Sequence, residues 1–516
     1  MRSILQVSAF IAMAGGLSRR SLAQNIIWEI EASNAADRLA IVSVGPDVSG
    51  DGVSELLLGY IYETCSSTSQ TGVVREFSTN SGQLEQWCGD NPAAGGDFGA
   101  PVGWLDDVDG RGEPDIIIGQ PGYKDPYVGS QTGRLQVYSG EDASLIYEIV
   151  GTLPYGRFGY FDVCDDVDGD GLRDFIVGAF DYGASSEGLV WVYSAKAGIE
   201  IRRHAGTSAY QQLGSIVRGI GDADGDGVGD YAMAAYKGDA GGFEVRSGST
   251  GVLIHLDDGE SGQGVGRCIA KCGDLDGDGN ADILCSIVIN GNNAVEAYSP
   301  MSGALIWTVS SSSSGDHLGA RMAASGDQNS DGVEDYLLAA LYDDHDSKDS
   351  GRVDLISGVT LRALYRFYPD TVGARYFGEI LTRGSDFNGD GIEDLVMGTT
   401  DGGGLSKQAG IVQIRAGNDL WLQADPIAPV DGDTVTVDLR GAVPGVLGLI
   451  ALTAIDGTAV FETLLLAPFD TNGELQFCAD VDSSVSGMEF TLMAYAQNKP
   501  GRGPLRDATP FIVKVQ

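Results

Sequence analysis

Seven copies of an Asp- and Gly-rich nonapeptide, their near-even spacing, and the apolar run after each predict an all-β chain: a seven-bladed β-propeller followed by a small C-terminal β-sandwich. The copies begin at Asp47, Asp107, Asp166, Asp222, Asp274, Asp327 and Asp386, with successive starts 60, 59, 56, 52, 53 and 59 residues apart. A period that steady marks an array in which each unit buries its faces against its neighbours. Composition agrees. The 516 residues exceed one ordinary core, 76 glycines suit many short strands joined by tight turns, and 43% hydrophobic residues argue against disorder.

Each repeat reads as four strands. The runs at 56–58 and 116–118 are continuously apolar and end near a small residue, which is the pattern of a strand buried on both faces. A variable loop follows, then alternating segments such as 135–138, 190–193 and 353–356, then a Ser-Gly-like turn and a fourth strand such as 145–149 or 305–309. About eight residues before most of the acidic loops stands an aromatic or apolar residue followed by Gly: Phe98-Gly99, Phe158-Gly159, Leu213-Gly214, Val265-Gly266, Leu318-Gly319 and Phe377-Gly378. Residues 26–30 carry the fourth-strand pattern without a blade of their own, so they are expected to complete blade seven beside 411–414 and protect the edges of the ring. Residues 420–423 compete for that edge, but they run directly into the turn at Pro429 and suit the first strand of the sandwich better.

The nonapeptide has the chemistry of a cation loop. Side-chain oxygens at positions 1, 3, 5 and 9 and a carbonyl at position 7 can converge on one hard cation, and Gly at position 6 permits the turn around it. The expected ligands are Asp47, Ser49, Asp51, Glu55 and the carbonyl of Val53 in the first loop, and Asp107, Asp109 and Asp115 in the second. The third offers Asp166, Asp168, Asp170, Asp174 and Leu172, and the fourth Asp222, Asp224, Asp226, Asp230 and Val228. The fifth offers Asp274, Asp276, Asp278, Asp282 and Asn280, and the sixth Asp327, Asn329, Asp331, Asp335 and Val333. The seventh offers Asp386, Asn388, Asp390, Asp394 and Ile392. Calcium accepts such a crowded oxygen shell more readily than magnesium. An EF-hand is excluded, because position 12 is apolar in every copy and the following run is a strand.

The aromatic-Gly element together with the acidic loop resembles the FG-GAP repeat of integrin α-chain propellers, over roughly residues 25–417. The resemblance implies five to seven bound Ca2+ ions and a role in adhesion. This chain departs from the pattern in two ways. Three of the seven phenylalanines are present, and the first repeat has Leu39-Ala40 in place of Phe-Gly. Arg111 stands at a ligand position of the second loop, so that site is expected to be weak or empty, or to use the guanidinium in place of the ion. Ser49 and Glu55 make the first loop a poorer site than the third to seventh.

The ends and the charge complete the reading. Residues 1–23 have the features of a signal peptide: Arg2, an apolar run over 4–17, and small residues at Ser21 and Ala23 before a cleavage at Gln24. The expected domains are then the propeller at 24–417 and an immunoglobulin-like sandwich at 418–516. No later segment is apolar enough for a membrane helix. With 73 acidic against 32 basic residues, a net charge of −41 repels nucleic acid and anionic lipid. Seven irregularly spaced cysteines are no disulfide framework, although one or two local bridges fit Cys65 with Cys88 and a pair among Cys268, Cys272 and Cys285. No HExxH, Gly-x-Ser-x-Gly or phosphate-loop motif occurs. The chain is therefore expected to be a secreted binding or adhesion module for an extracellular protein or glycan, and no enzyme. The alternative is a carbohydrate-active lyase or hydrolase on the same scaffold. The variable loops at 120–133, 179–188, 236–241, 341–350 and 399–409 lie on the face opposite the acidic loops. There Tyr60, Tyr123, Phe180, Tyr236 and Tyr342 are expected to gather near the axis, as a ligand platform or as a plug of the channel.

Overall fold

A computed structural model describes residues 26–417 apart from 33–37, 66–70, 90–96, 312, 314, 330, 346, 370–373, 390 and 401–409, together with eight strands between 421 and 514. The expected signal peptide lies outside the described residues. The rest of the chain folds as the repeat dictates: seven four-stranded antiparallel sheets form a seven-bladed propeller. Blade three is representative, with strands Tyr160–Cys164, Asp174–Ala179, Leu189–Ser194 and Ile199–Ala205 in sequence order. Its second strand, DFIVGA, is buried at every residue, because a blade inside a ring has a neighbour on each face.

Those faces build seven separate apolar cores, one at each boundary between blades. Between blades two and three, Ile117, Leu135 and Val137 pack with Phe158, Phe175, Val177 and Trp191. The boundary that closes the ring sets Leu39, Leu56, Leu58 and Val73 of blade one against Ile380, Val396, Val412 and Ile414 of blade seven. Ile27, Trp28 and Ile30 join that core. The closure itself is the one the N-terminal pattern predicts. Strand Ile26–Glu31 pairs antiparallel with Ile411–Arg415, in a register that sets Glu29 against Gln413 and Ile30 against Val412.

Among the described residues, the aromatic-Gly element stitches blades three, four, five and seven to the blade before each. Phe158 forms a parallel bridge with Gly133 of the preceding blade, and Leu213, Val265 and Phe377 do the same with Gly188, Gly241 and Gly351. The approach demands glycine, since a Cβ on Gly133 would lie 1.9 Å from the Phe158 carbonyl oxygen.

Beyond the ring, Trp421–Asp425 pairs with Thr434–Arg440 rather than with blade seven, as the run into the Pro429 turn suggests. Thr434–Arg440 also pairs with Leu475–Asp480, giving one three-stranded sheet. A second sheet has Leu447–Ile455 between Thr458–Pro468 and Glu489–Gln497.

One expectation about cysteine is met and the other corrected. Cys65 and Cys88 form a disulfide across 23 residues. Cys268, Cys272 and Cys285 are free and buried. Cys268 and Cys272 pack in the core between blades five and six, while Cys285 packs in the core between four and five. The sheet of blade five lies between them, so neither partner can reach Cys285.

Candidate functional site

All seven acidic loops fold on one hydrogen-bond frame that their sequence explains. The position-1 carboxylate turns inward and accepts the amides of the tip: Asp166 Oδ1 from Gly169 N–H at 2.7 Å, and Asp166 Oδ2 from Gly171 N–H at 2.7 Å. Asp47, Asp107, Asp222, Asp274, Asp327 and Asp386 accept the position-6 amide in the same way. Gly at position 6 has positive φ in every loop, 90° at Gly171, and a Cβ there would meet nothing within 4 Å. Conformation, not space, requires that glycine.

Position 9 is the anchor. Asp115, Asp174, Asp230, Asp282, Asp335, Asp394 and Glu55 are fully buried at the start of the second strand. One oxygen of Asp174 accepts Val167 N–H at 2.9 Å within the loop. Its other oxygen accepts Ala195 N–H at 3.1 Å from the turn between strands three and four. Gly140, Gly248, Gly358 and Gly417 supply the same donor to Asp115, Asp230, Asp335 and Asp394. Acidic loop and Ser-Gly turn therefore share one face of the ring. Blade five lacks the donor, because Pro300 follows Ser299 where Ala195 follows Ser194, and proline has no N–H. Asp282 Oδ1 is accordingly buried without a hydrogen bond.

Burial pushes these carboxyls up, to about 6 at Asp174, Asp230 and Asp282 and to about 8 at Asp335, with the nearby loop carboxylates adding to the shift. Oxygens of Asp107, Asp109 and Asp115 converge to within 4.8 Å of one another. The same holds for positions 1, 3 and 9 of loops three, four and five, and for Asp47, Asp51 and Glu55 in loop one. An all-oxygen donor set, buried at position 9, mutually repelling and with an orphaned oxygen at Asp282, fits a hard divalent cation.

Position 5 behaves differently from the expectation of a direct ligand in loops three to five. Asp170, Asp226 and Asp278 lie outside the converging groups and accept the position-7 amide, at 3.0, 2.9 and 2.8 Å. Asp226 also accepts the Ser249 hydroxyl of the neighbouring turn, and Asp51 accepts Ser78 and Ser81 at 2.5 and 2.8 Å. Loop two keeps the frame with a different side chain. Arg111 N–H bonds Asp107 and Asp109 at 2.9 and 3.0 Å, while its guanidinium lies 3.3 Å from Asp109 and 2.7 Å from Asp142. Loop six has Asn329 at position 3, with its Oδ1 accepting Asp331 N–H at 3.0 Å, and Asp331 Oδ1 accepting Val333 N–H at 3.0 Å. In loop seven Asn388 donates to Asp394 at 3.1 Å, and Asp390 lies outside the described residues.

Four of the five aromatics of the opposite face, Tyr60, Tyr123, Phe180 and Tyr342, pack on neighbouring side chains. Tyr60 and Tyr123 lie under the guanidiniums of Arg75 and Arg134. Phe180 packs on Tyr160, and Tyr342 lies between His317 and Tyr376. Tyr236 and Tyr342 are the exposed members, at 48% and 40%. A second set on this face was not read from the sequence. The residue before each aromatic-Gly position has positive φ in every blade: Arg38, Asp97, Arg157, Gln212, Gly264, His317 and Tyr376. Such a conformation is uncommon outside glycine and points to a backbone held by its neighbours. Its signal was the fixed offset from the Gly of the pair.

The fold and the loops define a class: a propeller in which every blade carries an acidic loop on one face, with converging carboxylates in loops one to five. No family model matches the chain. Among curated proteins it is similar to integrin alpha-V of Gallus gallus, 28% identical over 141 residues, which is 26% of this chain and 13% of that one. Integrin alpha-PS2 of Drosophila melanogaster is 32% identical over 149 residues, 26% of this chain and 10% of that one. Integrin alpha pat-2 of Caenorhabditis elegans is 27% identical over 252 residues, 42% and 19%. The seven-bladed propeller is consistent with this similarity to integrin alpha chains and their FG-GAP region. The matched stretches span less than a fifth of these relatives' length. Among solved structures, Saccharomyces cerevisiae Sqt1 covers 81% of this chain and 97% of its own at TM-score 0.44 and 12% identity. The Dos1 propeller follows at 0.42 and 7%. The strand pairing alone carries the fold. No helix among the described residues is long and apolar enough to cross a membrane.

Proposed function

We propose that this chain is a secreted, calcium-loaded propeller that serves as an adhesion or ligand-binding module for an extracellular protein or glycan. The observation that carries the calcium is the convergence of three acidic side chains in each of loops one, three, four and five, with position 9 buried. A cation favours the ionised form of carboxyls that burial disfavours, so the ions act as structural staples of the second strands. Similarity to integrin α chains and the propeller fold support a binding role. The ligand face is then the one opposite the ions, where loops vary in length and Tyr236 and Tyr342 are exposed. Tyr60, Tyr123 and Phe180 flank them. Residues 418–516 form a separate immunoglobulin-like sandwich, consistent with the two sheets of that region.

The test is binding of purified protein to arrays of extracellular proteins and glycans, in calcium and in chelator. Calcium-dependent capture of a defined ligand is expected. Hydrolysis or elimination of an arrayed glycan would transfer the chain to the enzyme reading.

A further inference from the structure

The axis of the ring carries the opposite charge to the chain as a whole. Each first strand touches the first strand of the blade on either side, so the seven close around a central channel. Their charged residues are Asp162, Arg218, Lys271 and Arg321, three cations to one acid in a chain with 73 acidic and 32 basic residues. Arg267 adds a fourth cation just before the strand Ile269–Lys271. We infer that this cationic stretch of the channel, on blades four, five and six, binds a doubly charged oxyanion, a dicarboxylate or a sulfate. The site is separate from the acidic loops and does not depend on the adhesion reading.

The cations are gathered about Arg218. The Lys271 side chain reaches back to blade four, where a Cβ on Gly221 would lie 3.4 Å from its Nζ. Burial raises the Asp162 carboxyl, and Arg218 and Lys271 both oppose the rise, so both stand within reach of that one acid. Burial likewise raises the Cys268 thiol, opposed by Arg218 and Arg321. Arg218 is thus common to two neighbourhoods, with Lys271 in one and Arg321 in the other. Like charges this close repel, and the low-dielectric walls of a channel strengthen the repulsion.

The same cations lack counter-ions. Among the described residues, Arg218, Arg267, Lys271 and Arg321 form no ion pair. Arg383, one residue past the strand Ile380–Thr382, shows the alternative on the same ring, pairing with Glu334 and Glu393 at 2.7 Å each. The acid at hand is Asp162, whose Oδ2 already accepts Gly219 N–H at 3.1 Å. Set against Asp162, the three cations of the strands leave two positive charges to be balanced, which is the charge of the ligand. Two of them are held ready. Arg218 Nη1 donates to the Val217 carbonyl at 2.9 Å, and Arg321 Nη1 to the Ala320 carbonyl at 2.8 Å. The other N–H groups of each fork match the paired oxygens of a carboxylate or sulfate, and Lys271 adds a point charge. Arg267, Lys271 and Arg321 are exposed, so a ligand in the channel can reach them.

The full chain in calcium should be titrated calorimetrically with sodium succinate and with sodium sulfate, against sodium chloride at equal ionic strength. Saturable binding of one equivalent is expected for at least one of the two. Stronger binding of succinate names a carboxylate source and stronger binding of sulfate a sulfate source, and either supports the site. Arg321→Gln and Lys271→Gln, being exposed, should each weaken binding about tenfold and leave the melting curve in place. Arg203→Gln, on the outer strand Ile199–Ala205, should leave binding unchanged. Asp162→Asn removes the competing charge and should tighten binding several-fold. Absence of saturable binding overturns the inference. So does binding indifferent to Arg321→Gln and Lys271→Gln, which would mean an adventitious ion only. Weaker binding by an Asp162→Asn variant that melts like the parent overturns it as well. If Asp162→Asn fails to fold, the two exposed variants decide.

Discussion

The second and third acidic loops share one backbone and differ at position 5, where Arg111 stands in one and Asp170 in the other. In both, position 1 collects the tip amides, position 9 is buried and tied to the Ser-Gly turn, and oxygens of positions 1, 3 and 9 converge. The third loop has its positive partners outside the converging group, Arg173 on Asp106 at 2.9 Å and Lys196 at 3.9 Å from Asp170. The second carries a guanidinium against Asp109 and Asp142. Loop geometry is therefore set by the backbone amides and glycines, while the need for an ion is set by position 5. On the proposed reading, one loop takes an external cation. Its neighbour has a cation built in.

Removing the ions should separate the two most strongly. Excess chelator is expected to lower the melting temperature by more than any point substitution, since each site saturated at about 100 Kd contributes about 2.7 kcal/mol. Scanning calorimetry checks this, and an unchanged melting curve would remove calcium from the account. Magnesium should restore only part of the loss, because its octahedral shell suits this loop poorly.

Next in size are single substitutions at position 5, read by elemental analysis of the dialysed protein. Arg111→Ala should leave the ion count unchanged, and Arg111→Asp should raise it by one. Asp170→Ala sharpens the comparison, because Asp170 caps Leu172 N–H rather than joining the converging group. If position 5 rotates inward on binding, the variant loses an ion. If it stays a cap, affinity falls but the count holds. Loss of an ion on Arg111→Ala would show the second loop to be an ordinary site.

Blade five offers a smaller test. Pro300→Ala returns the N–H that blade three has at Ala195, and Asp282 Oδ1 gains its missing donor. Stability in chelator should rise by about 1 kcal/mol, the net worth of a hydrogen bond less the entropy gained by the unfolded chain. Denaturant melts measure it, and a fall in stability would mean that the proline holds this turn.

The smallest effect is a pH slope. In the metal-free chain the position-9 carboxyls sit above their ordinary value of 3.8, at about 6 for Asp174, Asp230 and Asp282 and about 8 for Asp335. The fold favours their neutral form, so it bears no penalty below pH 4 and loses stability as pH rises from about 4 to 8. Calcium favours the charged form and should flatten or invert that slope. His204, lowered to about 4 by burial, opposes it between 6.5 and 4 in both states, so the difference between the two curves isolates the carboxyls. Asp335→Asn should remove the portion nearest pH 8.

Much of this was legible before folding, because it is local or periodic. Spacing counted the blades, unbroken apolar runs placed the second strands, and Asp and Gly at fixed offsets marked the loops. The orphan strand at 26–30 was legible because the other blades carry its pattern. By itself, then, the sequence determined the ring, its closure and the position of seven acidic loops. What the tertiary structure decided depends on partners distant in the chain. Position 9 is anchored by an amide 18 to 25 residues away, and Pro300 withdraws that amide from Asp282. Cys268 and Cys285 are kept apart by their own sheet, which spacing cannot reveal. The seven left-handed residues before the aromatic-Gly pairs are held by their surroundings rather than by local propensity. Local pattern fixes which atoms can bind a cation, and packing between blades determines which of them are left without a partner.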